Sequence, residues 1–162
     1  MINGRQPTGS LRKIDRLGIK QYPSLMYQFF FLSIVTNLLA GVTLAYDRID
    51  EKVNLSALFN PVLFQNSGFR LSLGLVTFVM GFLKLLSVTP GDVPVVGDLF
   101  PAVAGMLAGF SLAFQYYRER SEVESATAES LDRVFGRKSA ILGIVAIVAG
   151  LLHFLLPGVL FL

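Results

Sequence analysis

The chain has 162 residues and a formal net charge of +3; 53% of its residues are hydrophobic and only 15% are charged. With a mean hydropathy of +0.62, it carries more apolar surface than one small water-soluble core can bury. Composition therefore excludes a soluble globular fold. The chain contains no cysteine, so the composition also excludes disulfide frameworks, thiol nucleophiles and thiolate metal sites.

The first 20 residues form a basic tail with five Lys and Arg residues and one acid, Asp15. Ser10 is a suitable N-cap for a short interfacial helix, which would bind anionic lipid at the membrane surface. A tail without regular structure fits the composition equally well. The tail lacks interleaved aromatic residues, and this argues against nucleic-acid binding.

Four apolar windows are long enough to be transmembrane helices, because a hydrocarbon core about 30 Å thick needs roughly 20 residues of helix. They comprise about residues 22–46, 71–88, 99–117 and 140–162, and we call them spans 1 to 4. They are too long, and too rich in Leu, Gly and Ala, for the alternating strands of a membrane barrel. The sequence therefore predicts an all-α integral membrane protein with four transmembrane helices.

Two pairs of segments within the spans match each other. Residues 39–46 read LAGVTLAY and residues 107–114 read LAGFSLAF, at a shift of 68 positions. Residues 73–86 match residues 142–155 at a shift of 69, with 7 of 14 positions identical. Because the two shifts agree in order and in size, the sequence predicts an internal duplication.

The duplication divides the chain into two tandem helical hairpins. The first covers residues 21–88, the second covers residues 99–162, and an acidic Pro/Gly-rich connection at 89–98 joins them. Each hairpin crosses the membrane twice, so both copies enter from the same side and lie parallel, related by an axis along the membrane normal.

Glycines recur at helical spacings that let neighbouring helices approach closely. Such contacts, together with interhelical hydrogen bonds, hold membrane helices together, because lipid tails are as apolar as the side chains. We expect these glycines to pack helices within one bundle; contacts between copies of the chain are the alternative. The predicted packing positions are Gly41, Gly74, Gly81, Gly105, Gly109, Gly143 and Gly150.

Few polar residues lie inside the spans, and two of them, Lys84 and His153, occupy matching positions of the two hairpins. A buried ionisable group in a membrane is a functional candidate, because its burial is energetically expensive. A structural role is the alternative: Lys84 would extend to the interface or pair with Asp92 or Asp98. The candidate polar intramembrane residues are Lys84, His153, Asn37 and Gln28.

The Lys and Arg counts give conflicting signals about orientation. Six of these residues lie on the side of the N-terminal tail and eight on the side of the other two connections. Because five of the six precede the first span, we expect a cytoplasmic N-terminus in a bacterial inner membrane. So weak a bias is also compatible with insertion in both orientations.

No residue pattern predicts a catalytic, cofactor-binding or metal site, since the chain has one His, no Cys and no carboxylates clustered within a span. We expect a non-enzymatic accessory or scaffold subunit that works in the bilayer as a homo-oligomer or within a larger membrane complex. The alternative is a small oligomeric transporter or channel with a path near Lys84 and His153. The spans contain no acidic residue that would couple protons or bind a cation, and this argues against transport.

Overall fold

The computed structural model describes residues 22–86, 99–121 and 125–155, with side chains from residue 28 onward. All regular structure in these ranges is helical, so the predicted all-α class is confirmed there. The predicted tail helix, the 89–98 connection and the last residues of span 4 lie outside the described residues.

Four long helices carry the four predicted spans, and shorter helical elements connect them. The long helices are α1 (Tyr22–Val53), α3 (Ser67–Leu86), α4 (Leu99–Arg120) and α6 (Ser139–Leu155). Between α1 and α3 lie a 3-10 turn (Leu55–Ala57) and α2 (Pro61–Gln65). Between α4 and α6 lie α5 (Ala126–Leu131) and a π-helical turn (Asp132–Gly136).

The first long helix extends beyond the predicted span. The apolar window ends near residue 46, whereas α1 continues through the charged residues 47–52 and ends at Val53. A helix needs no apolar residues once it leaves hydrocarbon, so hydropathy marks only its buried part. Asn54 follows with a positive φ of 53°, the left-handed conformation that Asn tolerates better than most residues, and ends the helix there.

Three described helices are long and apolar enough to cross a membrane: Gln28–Val53 within α1, Ser67–Leu86 and Leu99–Arg120. A fourth qualifies when residues 126–136 and 139–155 are taken together as one span bent by 47°. The predicted number of membrane-compatible helices, four, is therefore reached only with this bent pair.

The bundle core consists largely of small side chains. Ala40, Ala108, Leu112 and Ala146 are fully buried, which lets the helix axes approach closely. Helix α1 packs mainly against α6, and α3 mainly against α4, so the most extensive contacts join the two predicted hairpins to each other. Large apolar side chains such as Val76 lie exposed on the outside of the bundle, a pattern compatible with a lipid-facing surface.

The two connections are attached to the bundle by aromatic rings. Phe64 of α2 is buried and stacks on Tyr46 of α1, with ring centroids 5.1 Å apart. In the other connection, Phe135 contacts the rings of Phe110 and Phe114 on α4 at 4.7 and 6.4 Å. Both connections are therefore fixed to the end of the helix that precedes them.

Hydrogen bonds and an ion pair lie close to the two connections. Ser111 Oγ and Gln115 Nε2 both donate to the Phe135 carbonyl oxygen, at 2.6 and 3.1 Å. An ion pair of 3.2 Å joins Arg70 near the start of α3 to Glu119 near the end of α4. The two connections therefore lie at the same end of the bundle.

Candidate functional site

The two ionisable residues singled out within the spans contact each other. Lys84 Nζ on α3 lies 2.5 Å from His153 Nε2 on α6. Both side chains are buried, with 7% and 3% of their surface exposed. The sequence placed them at equivalent positions of two hairpins, and the fold brings these positions together in the interior.

Phe30 of α1 covers the pair. Its ring centroid lies 4.4 Å from that of His153 and 4.9 Å from Lys84 Nζ. The ring face attracts a cation, because its quadrupole places negative charge above and below the plane. An aromatic side chain from a third helix therefore shields the Lys84–His153 contact and interacts favourably with a positive charge there.

The short distance between the two nitrogens limits their protonation. A hydrogen bond needs a lone pair on one partner, so a single proton lies between Lys84 Nζ and His153 Nε2. The arrangement fits a lysine ammonium that donates to a neutral imidazole. Two full positive charges facing each other in an apolar interior would be strongly unfavourable.

Asn37 makes a further polar contact between helices, in the interior of the bundle. Its Nδ2 donates to the Pro101 carbonyl oxygen of α4 at 2.9 Å, and the side chain is 2% exposed. Its Oδ1 occupies the space that a Cβ on Gly105 would need. Gly105 thus makes room for the amide, and α1 and α4 are joined through a backbone acceptor that a residue pattern does not reveal.

Two pairs of predicted packing glycines touch each other. A Cβ added to Gly41 would lie 2.5 Å from the Gly143 carbonyl oxygen, and one added to Gly143 would lie 2.6 Å from that of Gly41. Gly74 and Gly109 show the same reciprocal arrangement, at 2.8 and 2.5 Å. No side chain fits at either crossing, so α1 with α6, and α3 with α4, meet backbone to backbone.

The remaining predicted positions vary in their surroundings. Gly81 lies against the Ala102 carbonyl oxygen of α4, and Gly150 lies against Leu38 of α1. Gln28 is exposed and outside the polar contacts described above. The proposed partners of Lys84, namely Asp92 and Asp98, lie outside the described residues.

Sequence reasoning did not identify Phe30 or Pro101 as parts of the site. An aromatic residue in an apolar span resembles any other lipid-facing or core residue, and a carbonyl oxygen carries no sequence signature. The one signal available for Phe30 was its place on the first span, near the end of the bundle that holds Lys84 and His153.

The part of the chain that the structure describes contains no group of three or more His, Asp or Glu side chains that could hold a metal ion. Lys84 and His153 are the ionisable side chains buried together in the interior there. The chemistry available at this point is therefore hydrogen bonding and proton sharing between two nitrogen bases.

Comparison with known proteins places the chain in a family. An uncharacterized protein of Treponema pallidum (strain Nichols) is 30% identical over 137 residues, which make up 85% of this chain and 100% of that protein. A protein-family model matches residues 26–153. The chain belongs to this family. The family region begins before Phe30 and ends at His153, so it includes the whole polar site. No solved structure matches the chain significantly.

Proposed function

We propose that the chain is a non-enzymatic multi-pass membrane protein that serves as an accessory or scaffold subunit of a membrane assembly. The observation that carries this proposal is that polar side chains inside the helices are bonded within the bundle, either to their own helix or to a neighbouring one. Thr77 Oγ1 donates to the Leu73 carbonyl oxygen at 2.7 Å, within α3. Asn37 bonds across to α4, and Lys84 bonds across to α6. The two bonds between helices hold the bundle together, whereas conduction needs groups that exchange partners with a solute.

The proposal includes a fold of two parallel hairpin repeats that cross the bilayer four times. The two reciprocal glycine contacts support it, because the repeat relates the Gly41–Gly143 contact to the Gly109–Gly74 contact. Gly41 matches Gly109 at a shift of 68, and Gly143 matches Gly74 at a shift of 69. A residue that touches its own counterpart must lie on the symmetry axis that relates the repeats. Lys84 and His153 are counterparts in the two repeats and contact each other, so the proposed axis passes through the polar site.

We further propose a location in a bacterial inner membrane, with the basic tail in the cytoplasm and bound to anionic lipid. The Lys and Arg residues of the tail support this orientation. The apolar outer surfaces of the helices are compatible with lipid and with further helices of an assembly. Exposed side chains of this kind include Val76 and Val148, with 48% and 44% of their surface exposed.

A small transporter or channel is the second candidate, and the Lys84–His153 contact is the observation that favours it. Two ionisable side chains that share a proton in a membrane interior are components of a proton or solute path in many transport proteins. In this case the pair would have to separate and re-form during each cycle of transport. An accessory subunit, by contrast, keeps the pair closed.

Purification from native membrane in a mild detergent tests the two candidates. If the chain is an accessory subunit, larger membrane proteins co-purify with it in fixed proportion, and the purified chain alone mediates no flux in liposomes. A homogeneous small oligomer that mediates flux would contradict the accessory role and favour transport.

The variant Lys84→Met sharpens this comparison, because methionine keeps the length of the side chain and removes its charge. A path that depends on Lys84 would lose its flux, whereas an accessory subunit would keep the same companions. Thr43→Val is the matched control, because Thr43 is also buried but donates to the Leu39 carbonyl oxygen of its own helix. Loss of companions in Lys84→Met but not in Thr43→Val would contradict this expectation, because the assembly would then depend on the polar site itself.

A further inference from the structure

The connection between α1 and α3 exposes an unusual amount of apolar surface. We call residues 53–66 the apolar connection; it contains no Asp, Glu, Lys or Arg. Besides Val53 at the end of α1, four of its large side chains are more than half exposed, although they lie outside the long helices. They are Leu58 at 74%, Val62 at 68%, Phe59 at 52% and Leu63 at 51%. Water alone is an unfavourable environment for such a surface.

The corresponding segment between α4 and α6 has the opposite chemistry. We call residues 125–138 the charged connection; it has the same length and contains five charged side chains. Each connection is attached by one aromatic ring, Phe64 on Tyr46 and Phe135 on Phe114. At the position two residues before the attached ring, the apolar connection has Val62 and the charged connection has Arg133. Attachment to the bundle therefore does not account for the difference in polarity.

The backbone of the apolar connection is satisfied locally, by side chains that cap its short helical elements. The Ser56 N–H donates to Asp50 Oδ1 at 2.6 Å, and the Val62 N–H donates to Asn60 Oδ1 at 3.0 Å. At its end, the Phe69 N–H donates to Asn66 Oδ1 at 2.9 Å. Segments that leave water need such internal partners, because hydrocarbon provides none.

We propose that the apolar connection lies among the upper acyl chains of the bilayer and anchors this end of the bundle there. The charged connection then remains in water and among headgroups, so that the fourth crossing begins at α6 (Ser139–Leu155) rather than at residue 126. The inference rests on the proposed membrane function. Its occupant is lipid because the segment carries no charged side chain, has backbone N–H groups capped by side chains of this chain, and adjoins helices whose outer surfaces are also apolar, including Val76 at 48%. The end of the bundle is therefore asymmetric, with one connection inserted and one exposed.

Single tryptophan probes test this placement, and the chain offers a clean background because it contains no tryptophan. Val62→Trp reports on the apolar connection, and Arg133→Trp reports on the matched position of the charged connection. Val76→Trp, on the exposed face in the middle of α3, reports on membrane insertion itself. Each full-length variant is reconstituted into phosphatidylcholine–phosphatidylglycerol vesicles whose acyl chains carry bromine either near the headgroup or near the chain end.

We expect bromine near the headgroup to remove most of the Val62→Trp fluorescence, and aqueous iodide to have little effect on it. Arg133→Trp should show the reverse, and bromine near the chain end should quench Val76→Trp. Quenching of Val62→Trp by iodide to the same extent as Arg133→Trp would overturn the inference. Shielding of Val62→Trp from both quenchers would also overturn it, in favour of a protein partner or a second copy of the chain.

The failure of the inference and the failure of the proposed function give different results. If Val76→Trp is quenched by lipid and Val62→Trp is not, the chain spans the membrane but the apolar connection is not inserted. If Val76→Trp is not quenched either, the membrane function itself is wrong. Leu58→Trp, at the most exposed position of the apolar connection, gives an independent measurement should Val62→Trp fail to fold.

Discussion

Lys84 and His153 are expensive to bury singly, and the fold reduces this cost by burying them together. Each nitrogen provides the hydrogen-bond partner that the other would lose on leaving water. The Phe30 ring replaces part of the missing hydration of the cation. The contact therefore joins α3 to α6, whose main packing partners are α4 and α1 respectively.

The free energy of this contact can be measured with a double-mutant cycle. Lys84→Met and His153→Phe should each lower the free energy of unfolding by about 1–3 kcal/mol, because each leaves one buried polar group without its partner. The double variant should lose less free energy of unfolding than the two single variants lose together, since apolar side chains then replace both partners. The free energy of unfolding of each variant is measured by adding a denaturing detergent to the protein in a mild detergent. Strict additivity of the two losses would contradict a direct stabilising contact.

At the scale of single elements, the helices pack through glycines rather than through interlocking large side chains. The carbonyl oxygens of Gly74 and Gly109 each occupy the space beside the other residue's Cα. In the proposed bilayer location there is little hydrophobic driving force between helices, so close backbone contact and dispersion would provide the attraction. The crossing points therefore tolerate no added atom.

Much of this architecture could be predicted from the sequence, and the exceptions have physical causes. The apolar windows predicted the long helices, because hydrophobic length follows from bilayer thickness. They did not predict the end of α1 at Val53, since a helix continues in water without apolar residues. The shift of 69 related Lys84 to His153 but did not predict their contact. Helices that are apolar all round give no periodicity from which neighbours could be assigned.

Substitution at the glycine crossings tests their role. Gly109→Ala should lower the free energy of unfolding by about 1–3 kcal/mol, because the added Cβ would lie 2.5 Å from the Gly74 carbonyl oxygen and 2.6 Å from the Phe78 nitrogen, and backbone atoms cannot move aside cheaply. Gly68→Ala is the matched control, since its Cβ would meet only Asn66 Oδ1, at 3.2 Å. The same detergent titration measures both. Equal stability of the two variants would contradict the packing role.

At the scale of the whole molecule, the main helix contacts run between the two predicted hairpins. Helix α1 packs chiefly on α6 of the other hairpin, and α3 packs chiefly on α4 of the other hairpin. Contacts also exist within each hairpin, but they are less extensive. One predicted hairpin by itself would therefore expose its side of both glycine crossings, and the complete interior forms only when the two halves of the chain meet.

Division of the chain into residues 1–88 and 89–162 tests this interdependence. The break falls between the hairpins, so it interrupts no described helix and adds only the entropic cost of joining two chains. We expect the co-expressed halves to associate and to co-purify in mild detergent, because all contacts between the helices are still available to them. Each half expressed alone should aggregate or be degraded, since α1 then lacks α6 and α3 lacks α4. The measurement is recovery of each tagged half, alone and together, by size-exclusion chromatography. A stable monomeric half would show that the contacts within one hairpin are sufficient for folding, and that the contacts between hairpins are secondary.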